Sequence, residues 1–118
     1  YNDTQRSIDL NKRVSNKSNK TSICDALLAD TPGELTFAIN SELTENVLTV
    51  SDEEVKAAMR FAFHYFKMIV EPGGAVALAA VMSKKIELRN KVTVAVLSGG
   101  NVDMEMYDKI QSEKTSDH

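Results

Sequence analysis

Two short tracts of this chain hold residue types able to do chemistry. Ser98-Gly99-Gly100-Asn101 follows an apolar run and presents a hydroxyl that both donates and accepts, two residues without a Cβ, and an amide. A missing Cβ lets the main chain come close to a ligand. Glu71-Pro72-Gly73-Gly74-Ala75 repeats the arrangement, with a carboxylate ending a brief apolar segment and glycines opening a helix. Asp25, within Ser22-Ile23-Cys24-Asp25-Ala26, is a third polar group among apolar neighbours. Each also has a plainer reading. The two glycine tracts fit tight turns that hold no ligand, and Asp25 fits the cap of a turn. Together the two glycine turns point to a ligand more than either does alone.

These tracts need elements to hold them. Val92-Thr93-Val94-Ala95-Val96-Leu97 is almost uninterrupted in its apolar character, the pattern of a parallel strand covered on both faces. Its carboxyl end is where open α/β sheets bind ligands, and Ser98 stands there. Val47-Leu48-Thr49-Val50 predicts another strand. Ser51 followed by Glu54 is a capping-box pair, in which each side chain satisfies a free backbone N–H. It opens a helix whose Val55, Met59, Ala62, Phe63 and Phe66 recur on one face, with His64 off that stripe. Residues 75–82 are small and apolar and predict a closely packed buried helix. Pro32-Gly33 is a turn, after which Leu35, Ala38, Ile39 and Leu43 fall near helical spacing. Residues 3–12 suit a short helix, 13–21 and 84–91 are polar connectors, and 104–110 suit a last helix before a frayed tail. Strands and helices alternate, which is the α/β class.

Composition narrows the functions. A chain of 118 residues fits at most one small domain, too short for a two-domain enzyme. No apolar run reaches the roughly 20 residues that a bilayer requires, so no membrane partner is expected. A net charge of -3 disfavours nucleic acid, whose phosphates call for clustered Lys and Arg. Cys24 is the single cysteine, which excludes an internal disulfide or a multi-thiolate metal site and suits a reducing, cytoplasmic setting. The chain opens on Tyr1 with neither an initiator Met nor a leader, so an upstream portion is expected.

Four tracts in order, Ser22-Ile23-Cys24-Asp25-Ala26, Pro32-Gly33-Glu34-Leu35-Thr36-Phe37, Glu71-Pro72-Gly73-Gly74-Ala75 and Ser98-Gly99-Gly100-Asn101-Val102-Asp103, resemble the closing third of the serine/threonine dehydratase family. Serine racemase and hydroxyaspartate dehydratases belong to that family as well. The resemblance runs from about Asp3 to Asp103. It implies an α/β fold, part of a three-layer parallel-sheet domain of a tryptophan-synthase-β-like (fold-type II) pyridoxal phosphate enzyme, with residues 1–103 the C-terminal part of the large domain and 104–118 a terminal helix and tail. It also implies that Ser98 hydrogen-bonds the pyridine nitrogen, and that Gly99, Asn101, Glu71, Asp25 and Ala26 lie about the cofactor. Asp3 matches a ligand for Mg²⁺ or Ca²⁺ in relatives that carry a cation, where an upstream Glu completes the set. The implied reaction deaminates L-threonine or L-serine to a 2-oxo acid and ammonia, in a homodimer.

The chain departs from the family in two places. Cys24-Asp25-Ala26 stands where Ala-Asp-Gly is common, adding bulk beside the ring. The cofactor-bearing lysine, the substrate-carboxylate loop and the glycine-rich phosphate loop all precede the matched part, and Lys67, Lys84, Lys85 and Lys91 sit in none of those contexts. The chain alone is therefore expected to be inactive. A different reading is a non-catalytic module that completes a site with a separate N-terminal chain, and racemization or hydroxyaspartate dehydration stays open for the intact protein.

Overall fold

Why these residues fold as they do is clearest in the tethers of the N-terminal part. In a computed structural model, which describes residues 1–16 and 21–113, the chain divides into two compact units, 1–49 and 50–118. The tail beyond residue 113 and part of the 13–21 connector lie outside the described residues. In the first unit, helix α1 (Asp3–Asp9) buries Ser7, whose hydroxyl accepts the Val14 N–H at 2.9 Å and donates to the Val14 carbonyl at 3.4 Å. The returning segment is then tied to the turn before helix α2 (Glu34–Leu43). The Asn16 N–H donates to the Asp30 carbonyl at 2.8 Å, the Ser15 and Thr31 hydroxyls meet at 2.6 Å, and Arg13 Nε donates to the Pro32 carbonyl at 2.9 Å. The Arg13–Glu34 ion pair at 3.3 Å is open to solvent and adds at most about 1 kcal/mol. Helix α2 forms where its periodicity predicts, but Leu35 and Leu43 are 74% and 79% exposed. Its apolar side is bare within the unit.

The second unit is the better packed. Ser51 Oγ accepts the Glu54 N–H at 3.3 Å and Glu54 Oε2 accepts the Ser51 N–H at 2.6 Å, so the expected capping box starts helix α3 (Asp52–Phe61). Helix α3 packs on helix α4 (Pro72–Met82) and on helix α5 (Met104–Ser112). Val55, Ala58, Met59 and Ala62 meet Ala75, Leu78, Ala79, Val70, Tyr107 and Ile110 in one buried core. The alanines allow the α3–α4 approach, and Pro72 suits the first position of α4, where no N–H partner is lost. Lys56 bridges Glu53 at 3.0 Å and Glu113 at 3.2 Å, and Arg60 donates to the Ile110 carbonyl at 3.2 Å, which fastens the end of α5 to α3.

Two expectations change. The stripe on α3 does not continue to Phe66, because the chain widens into a π-helical turn at Ala62–Phe66 that ends on Lys67 at φ 58°. That wider turn rotates the later side chains off the core face. Phe66 is accordingly exposed and, with Tyr65, packs against the Phe61 ring, whereas Phe63, partly exposed, still meets the buried Tyr107 ring edge-on. Residues 47–50 and 92–97, expected as strands, carry neither helix nor ladder, and no described residue belongs to a β-ladder. Val92, Val94 and Val96 are 99%, 82% and 66% exposed rather than covered on both faces. A strand is buried by its neighbours, and none of the described segments pairs with this one.

Candidate cofactor site

The two glycine turns meet. Glu71, capping α4 with extended backbone, donates its N–H to the Gly99 carbonyl at 3.0 Å. A Cβ on Gly74 would lie 2.7 Å from the Gly99 oxygen and 2.9 Å from the Gly99 nitrogen, closer than real side chains come. One on Gly100 would lie 2.7 Å from the Ile69 carbonyl oxygen, and one on Gly99 would lie 2.5 Å from Glu71 Oε1. No glycine here has a positive φ, so these positions call for glycine through space rather than backbone conformation. The sequence gives the glycines the task of admitting a ligand. In the structure they admit each other's turn, a pairing that the local motifs give no sign of because the partners are far apart along the chain.

The pairing brings Ser98, Gly99 and Glu71 together. Ser98 is exposed at the end of the 92–97 run, and its hydroxyl makes no hydrogen bond among the described residues. A capping role is already filled: Asp103 Oδ1 accepts the Met106 N–H at 2.8 Å at the start of α5. Asn101 is exposed in the same loop, where the Val102 N–H reaches the Gly100 carbonyl at 3.0 Å. The junction thus holds a carboxylate against Gly99 and, on the preceding residue, a hydroxyl with no partner among the described residues, a group able to pair with a ring nitrogen such as that of a pyridoxal cofactor.

Asp25 and Asp3 belong to the first unit. Asp25 is exposed at the head of a 3-10 turn (Asp25–Leu27), where its Oδ1 accepts the N–H of the next residue, Ala26, at 2.8 Å; Cys24 holds the cap position and no side chain caps the turn. Ala26 and Asp3 line a cleft of about 370 Å³ together with Thr36, Phe37 and Asn40. The buried Asp3 carboxylate accepts the Asn16 amide at 2.8 Å. Among the described residues no group of three or more His, Cys, Asp or Glu could hold a metal ion. Of the lysines, Lys85 is engaged with Glu54 at 2.9 Å and Lys67 Nζ donates to the His64 carbonyl at 2.8 Å.

Titration is perturbed away from this edge. The Ser51 backbone N–H, helped by Lys85, holds the Glu54 carboxyl down at about 2. Glu53 and then Glu113 raise Lys56, and burial raises the Tyr107 phenol.

The family model for pyridoxal-phosphate dependent enzymes matches residues 2–99. The chain therefore belongs to that family. It is 40% identical to the L-threo-3-hydroxyaspartate ammonia-lyase of Saccharomyces cerevisiae over 113 residues, which is 96% of this chain and 34% of the relative. It is 33% identical to the L-threonine ammonia-lyase of Thermotoga maritima over 98 residues, 83% of this chain and 24% of the relative. The solved structure of maize serine racemase superimposes with a TM-score of 0.80 at 30% identity, over 92% of this chain and 35% of that one. The fold is thus part of the fold-type II pyridoxal phosphate architecture, and the chain spans about a quarter to a third of the length of these curated relatives.

Proposed function

We propose that this chain is the C-terminal part of a pyridoxal-phosphate-dependent ammonia-lyase that converts L-threonine or L-serine to a 2-oxo acid and ammonia. Residues 1–103 complete its large domain, and 104–118 form a terminal helix and tail. The protein acts as a homodimer in the cytoplasm. The observation that carries the reading is the junction of the two glycine turns, where the Ser98 hydroxyl has no partner among the described residues and Asp103 already caps α5.

Pyridoxal phosphate, when bound, supplies an electron sink that eases loss of the α-proton and then of the β-hydroxyl. Ser98 would hold the pyridine nitrogen through its hydroxyl. Being neutral, that hydroxyl does not keep the nitrogen protonated as a carboxylate would, which moderates the sink. Glu71, Gly99, Asn101 and Asp25 would line the ring. Lys67 and Lys85 are engaged locally, and the resemblance sets the cofactor-bearing lysine upstream of the matched part, so the chain alone should be inactive. A cation is left out of the proposal, because Asp3 has an amide partner and belongs to no group of three or more His, Cys, Asp or Glu among the described residues.

The test is Ser98→Ala in full-length protein. Loss of one directed hydrogen bond to a buried ring nitrogen costs about 1–3 kcal/mol, so cofactor affinity and 2-oxo acid formation should fall about ten-fold or more. Unchanged affinity and rate would remove Ser98 from the site. The 118-residue chain alone, supplied with cofactor, should form no 2-oxo acid from either amino acid. A second reading, 3-hydroxyaspartate as the substrate, is favoured by the 40% identity to an ammonia-lyase of that specificity. Rates on the three amino acids separate the two.

A further inference from the structure

The Glu71 carboxylate lies directly over the Cα of Gly99. A Cβ built there would meet Oε1 at 2.5 Å, Cδ at 2.8 Å and Oε2 at 3.2 Å, so the whole carboxylate occupies the space that any other residue would fill. Gly99 has no positive φ, so alanine could adopt its backbone conformation. Below this contact, the Glu71 N–H bonded to the Gly99 carbonyl at 3.0 Å fixes one main chain against the other. Glu71 is thus bonded through its backbone to the residue that follows Ser98, and its carboxylate fills the space that residue leaves open.

We propose that Gly99 is a positioning residue: its absent side chain seats the Glu71 carboxylate beside Ser98, so that carboxylate and hydroxyl are presented to the cofactor as one edge. This rests on the cofactor reading above. It assigns Gly99 a role different from admitting a ligand to its own backbone. Because the obstacle would be the far end of a flexible side chain, Gly99→Ala should displace the carboxylate and leave the fold standing. A shorter acid gives the room back.

The experiment is a double-mutant cycle of Gly99→Ala and Glu71→Asp in full-length protein. It is read by cofactor affinity, followed by quenching of protein fluorescence, and by the melting temperature without cofactor. Glu71→Asp alone should weaken affinity several-fold, since it retracts a well-seated carboxylate. In the Gly99→Ala background the same change should strengthen affinity several-fold and raise the melting temperature. That reversal of sign is the result expected. The same sign in both backgrounds overturns the proposal, as does a reversal in melting temperature alone while affinity stays flat. A double variant that fails to fold also overturns it, because the added methyl would then be meeting something other than the carboxylate. If the unsubstituted full-length protein binds no pyridoxal phosphate, the cofactor reading falls first and this inference with it. If the protein binds cofactor and Ser98→Ala weakens binding, while the cycle shows no reversal, only the inference falls.

Discussion

Gly74→Ala sets two effects against each other. In the first turn of α4, alanine gains up to about 1 kcal/mol over glycine from helix propensity. Against this, the new Cβ would lie 2.7 Å from the Gly99 oxygen and 2.9 Å from its nitrogen, both main-chain atoms that cannot rotate aside. Ordinary contact begins at roughly 3.5 Å, so the two turns must part by about 0.8 Å. The Gly99 oxygen that is pushed away is the acceptor for the Glu71 N–H at 3.0 Å, and the same displacement stretches that bond past hydrogen-bonding range. Losing it costs about 1 kcal/mol, and overpacking a buried site costs about 1–3 kcal/mol. The net is a loss of about 1–3 kcal/mol, which lowers the melting temperature by several degrees. Thermal and urea unfolding followed by circular dichroism measure it. A raised or unchanged midpoint would mean that propensity wins, and the two turns would not be locked as described.

Glu54→Gln keeps an oxygen for the Ser51 N–H but removes the charge on it and the partly solvated ion pair with Lys85, so stability near neutral pH should fall by up to about 1 kcal/mol. The folded carboxyl titrates at about 2 against 4.5 for an unperturbed Glu. Its contribution is therefore full above pH about 4.5 and is lost as pH falls toward 2, so the Gln variant should show a shallower acid decline in urea midpoints; identical slopes would count against the cap. Tyr107→Phe removes a buried hydroxyl that has no partner among the described residues and should be neutral or stabilising by about 1 kcal/mol, whereas a loss above that would reveal a bond the hydroxyl makes. Val92, Val94 and Val96 leave a bare apolar edge, so the 118-residue chain alone should self-associate and bind a hydrophobic dye, with Val94→Lys reducing both. A compact, dye-free monomer in sedimentation would contradict that.

Helices were legible where a local rule fixes them. The Ser51–Glu54 box needs only its own residues and forms as read, and the small residues of 75–82 fall within α4 and pack where expected. The π-helical turn at 62–66 was not legible, since apolar spacing assumes a constant 3.6-residue period and carries no sign of a local widening. The 92–97 run reads as a buried strand because its residues suit one, yet burial depends on partners that the run does not itself specify. At the junction, Ser98 and Glu71 stand out in the sequence by chemistry and position, and a role for them toward a cofactor is proposed. The reason for Gly74 and Gly100 was not legible, because it lies in the main chain of a distant turn.

The widened turn at 62–66 makes the site sensitive to chain length as well as to residue identity. One residue more than a regular helix would use is accommodated there, just ahead of the segment whose Ile69 carbonyl and Glu71 N–H face the glycines. Deleting any one of those five residues would let α3 run on in regular register and turn everything that follows by about 100°. The core of the second unit would lose its fit, since Val70, Leu78, Tyr107 and Ile110 would turn away from Val55 and Met59. The junction would be lost with it, because its atoms meet in a single orientation. Among homologous chains, substitutions at exposed positions of this turn such as 64 and 65 should be tolerated better than at Ala62, while insertions and deletions there should be purged.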